Sequence, residues 1–226
     1  VPELDKSPSS VASMFSRIAH RYDALNHLLS FNADRRWRAG AARRVNGSHR
    51  RVLDLATGTG DLASALARDG RTVVGADFCL DMLAGARRKG AVALLSAADA
   101  LALPFPDAAF DAVTIAFGVR NFVDLRAGLA EIERVLRPGG LLVVLEFSQP
   151  SGPAGAAYKV YSDRVLPWIG GLLSGSPEAY RYLNRSARVW PDRATLSAVL
   201  REAGFADVAA AAMTFGIVAL HTARKP

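Results

Sequence analysis

Between residues 50 and 150, short and uniformly apolar runs alternate with amphipathic stretches. "RRVLDLA", "RTVVGAD", "AVALLSA", "FDAVTIAF" and "LLVVLEF" read as strands, and "DLASALARDG", "CLDMLAGARRKG" and "LRAGLAEIERVLRPGG" as the helices between them. A strand apolar on both faces must be covered on both, and strand–helix alternation does this with a parallel sheet. The third of these helices carries Leu125, Leu129, Ile132 and Leu136 on one face and is expected to stop at Pro138-Gly139. Residues 149–190 interrupt the alternation. A helix, "RATLSAVLREAG", and two strands, "FADVAAAAM" and "FGIVALHTA", then predict a closing hairpin. The expectation is an α/β fold with a mostly parallel seven-stranded sheet, an antiparallel last strand and helices on both faces.

The 226 residues fit one domain, 1–226, large enough to need no disulfide or metal staple. Cys79 is the sole cysteine, which points to a reducing, cytoplasmic setting. The polar start "VPELDKSPSS" has no apolar core of a signal peptide, and no run approaches the roughly 20 apolar residues of a membrane span. Residues 1–48 predict an N-terminal helical cover. Val11, Met14, Phe15, Ile18, Tyr22, Leu25 and Leu29 recur at helical steps, with Ser9 or Ser10 as cap. "NADRRWRAGAARRV" predicts a further helix capped by Asn32 or Asp34. Residues 1–51 hold ten Lys/Arg against four acids, most of the chain's net +7. Such a segment suits an anionic membrane, nucleic acid or an acidic substrate, or is a solvated helix face.

The first strand runs into "VLDLATGTGDLA", which sets Gly58 and Gly60 between strand and helix. Glycines there let a ligand approach the backbone and free amides of the helix N-terminus. Asp54 at the strand end would repel a pyrophosphate but not a cation. Asp77, ending the second strand, can accept both hydroxyls of a ribose. Asp99, near the end of the third, can accept from an adenine amino group, with Leu103 and Phe105 as apolar cover. Together these acids favour a cationic, phosphate-free nucleoside, S-adenosylmethionine, over a dinucleotide. No metal site is expected.

With these motifs the sequence resembles class I S-adenosylmethionine-dependent methyltransferases, which have a Rossmann-like fold. It is more closely similar to the menaquinone/ubiquinone-biosynthesis C-methyltransferases. The specific segments are "IAHRYDALNHLLS", "FGVRN" and "TFGIVALH"; "DRRWR", "RVLRPGGLLVVLEFSQP" and "AGFADV" extend the likeness over nearly the whole chain. The resemblance implies cofactor contacts from Gly58, Thr59, Gly60, Asp77, Asp99 and Ala100. At Ala116, where some relatives carry serine, only backbone remains. It implies C-methylation of a prenylated quinol, and the "FSQP" and "TFGI" segments favour demethylmenaquinol over a benzoquinol.

Arg120 is expected to stabilise a developing phenolate, directly or through water, with the proton-transfer role that relatives imply for it left open, and Asn121 to bond a quinol oxygen. Tyr22 is open between donating to the other oxygen and serving as a core aromatic. Glu146 is open between a base, a helix cap and an ion pair. His221 reads as a core histidine, Cys79 as structural, and His20 and His27 as weaker candidates than Tyr22. Tyr158, Tyr161, Tyr180, Tyr182, Trp168 and Trp190 mark 149–190 as an aromatic lid over the prenyl tail or a contact with the bilayer, with part of it packing against the sheet as core. The expected partners are therefore the quinol and an anionic membrane surface, with the protein peripherally attached and a homodimer left open. A nucleic-acid methyltransferase is disfavoured, because "AFGVRN" stands where an Asp/Asn-Pro-Pro-aromatic run would and Cys79 is misplaced for cytosine. A non-catalytic scaffold is disfavoured by the intact Arg120-Asn121 pair. Another small-molecule N- or O-methyltransferase stays open.

Overall fold

The computed structural model describes residues 7–67, 70–92, 94–150, 152–165 and 177–226. The expected run "VLPWIGGLL", with Trp168, lies almost wholly outside them. Among the described residues the chain forms a seven-stranded sheet in the order β3-β2-β1-β4-β5-β7-β6. The strands are β1 (Arg51–Leu55), β2 (Thr72–Asp77), β3 (Leu94–Ala97), β4 (Phe110–Ala116), β5 (Leu136–Phe147), β6 (Ala206–Met213) and β7 (Val218–Arg224). The β1–β5 neighbours pair parallel, and β7 runs antiparallel to both β5 and β6. The order reverses between β1 and β4, and a ligand crevice opens where it does so.

Side-chain alternation divides the core between the two faces. Leu53 and Leu55 of β1 join Val113 and Ile115 of β4 against α6 (Leu125–Val135) and a later helix, Arg193–Glu202. Val52 and Ala112 face the other way, onto α3 (Ala33–Ala42) and α4 (Asp61–Leu66). α6 is capped by Asp124, whose side chain accepts from the amides of Arg126 and Ala127. It ends at Val135, three residues before the expected stop. "RPGG" continues as extended chain, with Gly139 at φ 73° donating to Lys225 O.

The N-terminal cover differs from a single helix. α1 (Pro8–Ile18) and α2 (Tyr22–Leu29) are separate, broken at residues 19–21. Ser7 holds the cap position of α1, with Pro8 in the first turn where its missing N–H costs nothing. Asn32 precedes α3 in left-handed backbone without a side-chain cap bond, and Asp34 is buried instead of capping. α5 (Leu80–Arg88) follows β2. Residues 149–190 contribute α7 (Gly152–Val160), a single π turn (Tyr161–Val165) and α8 (Pro177–Val189); Arg193–Glu202 is α9.

Candidate active site

The carboxyl ends of β1 and β4 carry unusual backbone. Ala56 and Phe117, each just past its strand, have φ of 54° and 60°. Strain of this kind in non-glycine residues clusters at functional sites. A Cβ on Gly118 would stand 2.4 Å from that of Ala56, so the two strand ends approach as closely as they do only because residue 118 is glycine.

Two cavities open there. One lies at the ends of β1, β2 and β4 and is lined by Gly58, Asp77, Phe78, Met82, Asp99, Ala100 and Ala116, with Asn121 at its edge. Its carboxylate is well built. Asp77 accepts from the amides of Gly58 (2.8 Å) and Cys79 (2.9 Å), while burial pushes its carboxyl up. Gly58 has φ 57°, and a Cβ there would meet only Tyr22, at 4.0 Å, so the backbone faces open space. Asp99 is exposed and accepts from Leu101 N–H. Val11 and Phe15 of α1 lie across this pocket and leave about 80 Å³. Small-molecule sites usually hold roughly 300–1,000 Å³.

Several expected residues stand elsewhere. Gly60 packs away from the pocket, its missing Cβ replaced by that of Ala91, 2.4 Å from where it would stand. Thr59 donates to Asp23 in a short contact and sits within reach of Lys89. Asp54 alternates onto the Val52 face. There Thr57 and Thr114 donate to its two oxygens, each at 2.7 Å, and burial lifts its carboxyl to about 6. It is thus a buried support beneath the glycine loop. Leu103 and Phe105 pack into the core beside Phe110, and Ala98 and Leu101 line the pocket in their place.

The second cavity holds about 510 Å³. It is walled by Leu29, Trp37, Phe117, Phe147, Tyr158 and Tyr161, among others, with its mouth at Phe31 and Phe215. Arg120 lines it and is buried, with Nη1 donating to Glu146 Oε1 (2.8 Å) and Phe117 O (2.6 Å) and its guanidinium 5.2 Å over the Phe147 ring. Glu146 is therefore the ion-pair partner. Burial pushes its carboxyl up and Arg120 draws it back. Tyr22 and Phe117 line both cavities and form the junction between them. Burial raises the Tyr22 phenol against the pull of Arg38 and Arg120, which keeps it a proton donor. A family model for the ubiE/COQ5 methyltransferases matches residues 4–225. The chain belongs to the ubiE/COQ5 methyltransferase family.

Relatives bear this out. A demethylmenaquinone methyltransferase of Thermus thermophilus is 54% identical, over 94% of this chain and all of that one. One from Mycolicibacterium paratuberculosis is 49% identical, over 99% and 97%. Solved structures share the fold at low identity. A Thermotoga maritima S-adenosylmethionine-dependent methyltransferase, described as a possible histamine N-methyltransferase, superposes with TM-score 0.70 at 20% identity, over 95% and 99%. The cyclase SpnF superposes with 0.67 at 21%, over 96% and 95%. One fold thus carries different reactions, and the site must specify the chemistry.

Within this family member, Arg120 and Asn121 face opposite ways. Arg120 lines the large cavity, whereas Asn121 edges the crevice at the strand ends and accepts from Tyr182 O–H at 3.2 Å. His221 is buried, with Nε2 3.0 Å from Arg193 O, and Cys79 is buried beside Ser16. Sequence reasoning missed Asp34 and Arg38. The signal was there: positions 34, 37, 38 and 41 form the inward stripe of α3, and two of the four are opposite charges. Both line the large cavity, with Arg38 donating to Asp34 at 2.6 Å and lying 5.4 Å over Phe117.

Proposed function

We propose that this chain transfers a methyl group from S-adenosylmethionine to a ring carbon of demethylmenaquinol, giving menaquinol. The observation that carries the reading is the pairing of cavities. A fixed guanidinium, Arg120 on Glu146, edges a large apolar space that meets a carboxylate-lined crevice at Tyr22 and Phe117. The names borne by the near-identical-length relatives agree with it.

S-adenosylmethionine supplies an electrophilic methyl on a cationic sulfur. Asp77, Gly58, Asp99, Ala100 and Ala116 are the residues that hold it in this reading, with Thr59 and Gly60 shaping the loop from behind. Entry of a nucleoside needs α1 to lift Val11 and Phe15. Arg120 stabilises the phenolate that makes the ring carbon nucleophilic, because a buried guanidinium remains charged there. Tyr22 donates to a quinol oxygen at the junction, and Asn121 meets the reacting centre from the cofactor side. The apolar walls, including Tyr158 and Tyr161, take the start of the prenyl tail, with α7 and α8 as part of its cover.

The same reading makes the protein a visitor to the membrane surface. No helix among the described residues is long and apolar enough to cross one. Phe31 and Phe215 are 80% and 83% exposed at the cavity mouth, both on left-handed backbone. Arg35 and Arg36, soon after Phe31, and Lys159 and Arg164, on either side of the cavity-lining Tyr161, are exposed. Burying two phenylalanine rings in lipid contributes roughly 1.5–3 kcal/mol each. Replacing both by serine is expected to weaken sedimentation with anionic vesicles at least tenfold; unchanged binding ends the attachment reading. For the reaction itself, the test is labelled S-adenosylmethionine with demethylmenaquinol or total RNA. Label is expected in the quinol, and label confined to RNA overturns the proposal.

A further inference from the structure

Methylation of a quinol carbon by a sulfonium releases one proton overall. The ring carbon's electron pair forms the new carbon–carbon bond, and the pair of the broken carbon–sulfur bond stays on sulfur. The ring C–H proton then leaves to restore aromaticity. The products are a neutral thioether, the methylated quinol and one H⁺. This proton is set free in a largely apolar cavity. Arg120 already carries its proton, and Glu146 is bound to it. Both are buried, and among the described residues their hydrogen-bond partners are one another, Phe117 O, the Phe147 amide and the buried Ser186.

Asp34 is placed differently. It lines the cavity, and its Oδ1 accepts from Ser30 O–H at 2.8 Å. Its Oδ2 accepts from Arg38 and lies 2.8 Å from His27 Nδ1. His27 stands behind it, away from the cavity lining, with its side chain 18% exposed. On its far side Nε2 is 4.0 Å from Asp61, which is paired with the more exposed Lys89. Asp23 of His27's own helix reaches the same lysine. Polar groups therefore run from cavity to solvent through one carboxylate and one imidazole. His27, Asp34 and Asp61 are close enough together to hold a cation. Arg38 and Lys89 already neutralise the two carboxylates there, so a metal would have to displace both.

We infer that Asp34 and His27 are the proton exit of the active site. Asp34 accepts the proton released at the ring, directly or through water, and His27 passes it to solvent while Arg38 fixes the carboxylate. The inference rests on the methyltransferase reading above. Asp34 is then a catalytic residue and His27 a relay.

The test is His27→Ala, with His27→Gln as a second variant that keeps a donor toward Asp34. Both should lose kcat on the order of 10²-fold, as general acid–base variants do. Affinity of the cofactor-free variants for a short-tailed naphthoquinol should stay within about threefold of wild type, since His27 is not in the cavity wall. Added imidazole should restore His27→Ala in a dose-dependent way and leave wild type unchanged. If His27→Ala does not fold, His27→Gln decides by its kcat at retained quinol affinity. Wild-type kcat in His27→Gln, a loss in His27→Ala that imidazole leaves in place, or a parallel loss of quinol affinity would overturn the exit. A wild-type chain that leaves demethylmenaquinol unmethylated instead breaks the functional reading.

Discussion

The two cavities are built on opposite plans. The crevice at the strand ends is local: Asp77 ends β2, Gly58 and Ala100 sit on the turns after β1 and β3, and backbone amides do much of the bonding. The large cavity is assembled from α2, α3, the segment after β4, β5, α7, α8 and the β6–β7 turn, whose residues lie as far apart in sequence as Tyr22 and Ile217. Each region buries a carboxylate. Asp54 beneath the glycine loop is bonded by threonine hydroxyls and the Ala63 amide, whereas Glu146 is bonded by a guanidinium. The loop side thus relies on neutral donors and rigid backbone, as a site for a shared cofactor can. The cavity side stations fixed cations at an apolar wall, as ionising a phenol requires.

The largest effect should come from breaking that cation. Arg120→Ala is expected to lower kcat about 10²- to 10³-fold and to cost roughly 3–5 kcal/mol of stability, because it strands Glu146 without its partner. Cofactor affinity measured by calorimetry should hold. Adding Glu146→Leu should recover stability but not turnover, and recovery of both would remove Arg120 from the chemistry. Asp54 comes next and has the opposite logic. With its carboxyl at about 6 instead of 3.8, the folded chain keeps a proton that the unfolded chain has released between those values. Stability therefore falls as pH rises from about 4 to about 6, by on the order of 3 kcal/mol. Denaturant titrations across that window should show a steeper fall in wild type than in Asp54→Asn, since Asp77 and Glu146, whose carboxyls burial also raises, are present in both. Equal slopes would mean that Asp54 is ionised throughout.

This division also explains what could be read from the chain. The sheet, its reversed last strand and the acids at the strand ends were legible because period and spacing are local properties. The acids' roles were less so. Asp54 falls on the α3–α4 face because side chains alternate. Leu103 and Phe105 turn into the core, where more apolar surface is available than at the crevice. The Asp34–Arg38 pair escaped because an Asp and an Arg four apart on a helix ordinarily face solvent. Only the three-dimensional closure of α3 over β5 and β7, with Phe117 under the guanidinium, makes this pair an inner wall.

Within the glycine loop the same contrast sharpens into two substitutions. Gly60→Ala places a methyl 2.4 Å from Ala91 Cβ at φ 83°. It should destabilise the fold by about 2 kcal/mol or more. Gly58→Ala has open space and a milder φ of 57°, so about 1 kcal/mol is expected, with the larger loss in cofactor affinity. Thermal melts and cofactor titrations should separate them. Equal affinity losses would place Gly60 at the ligand after all.

The smallest effect tests the seam between the two regions. Tyr182 belongs to α8, part of the large cavity's cover, yet its hydroxyl holds Asn121 at the edge of the crevice. A neutral hydrogen bond of this kind is worth about 0.5–1.5 kcal/mol, so Tyr182→Phe should change one kinetic constant by about threefold to tenfold. If Asn121 acts on the reacting quinol, the change falls on kcat and cofactor affinity stays put. If it only lines the nucleoside crevice, cofactor affinity drops and kcat stays. Because the substitution keeps the ring and its packing, whichever constant moves assigns Asn121 to one side of the junction at Tyr22 and Phe117.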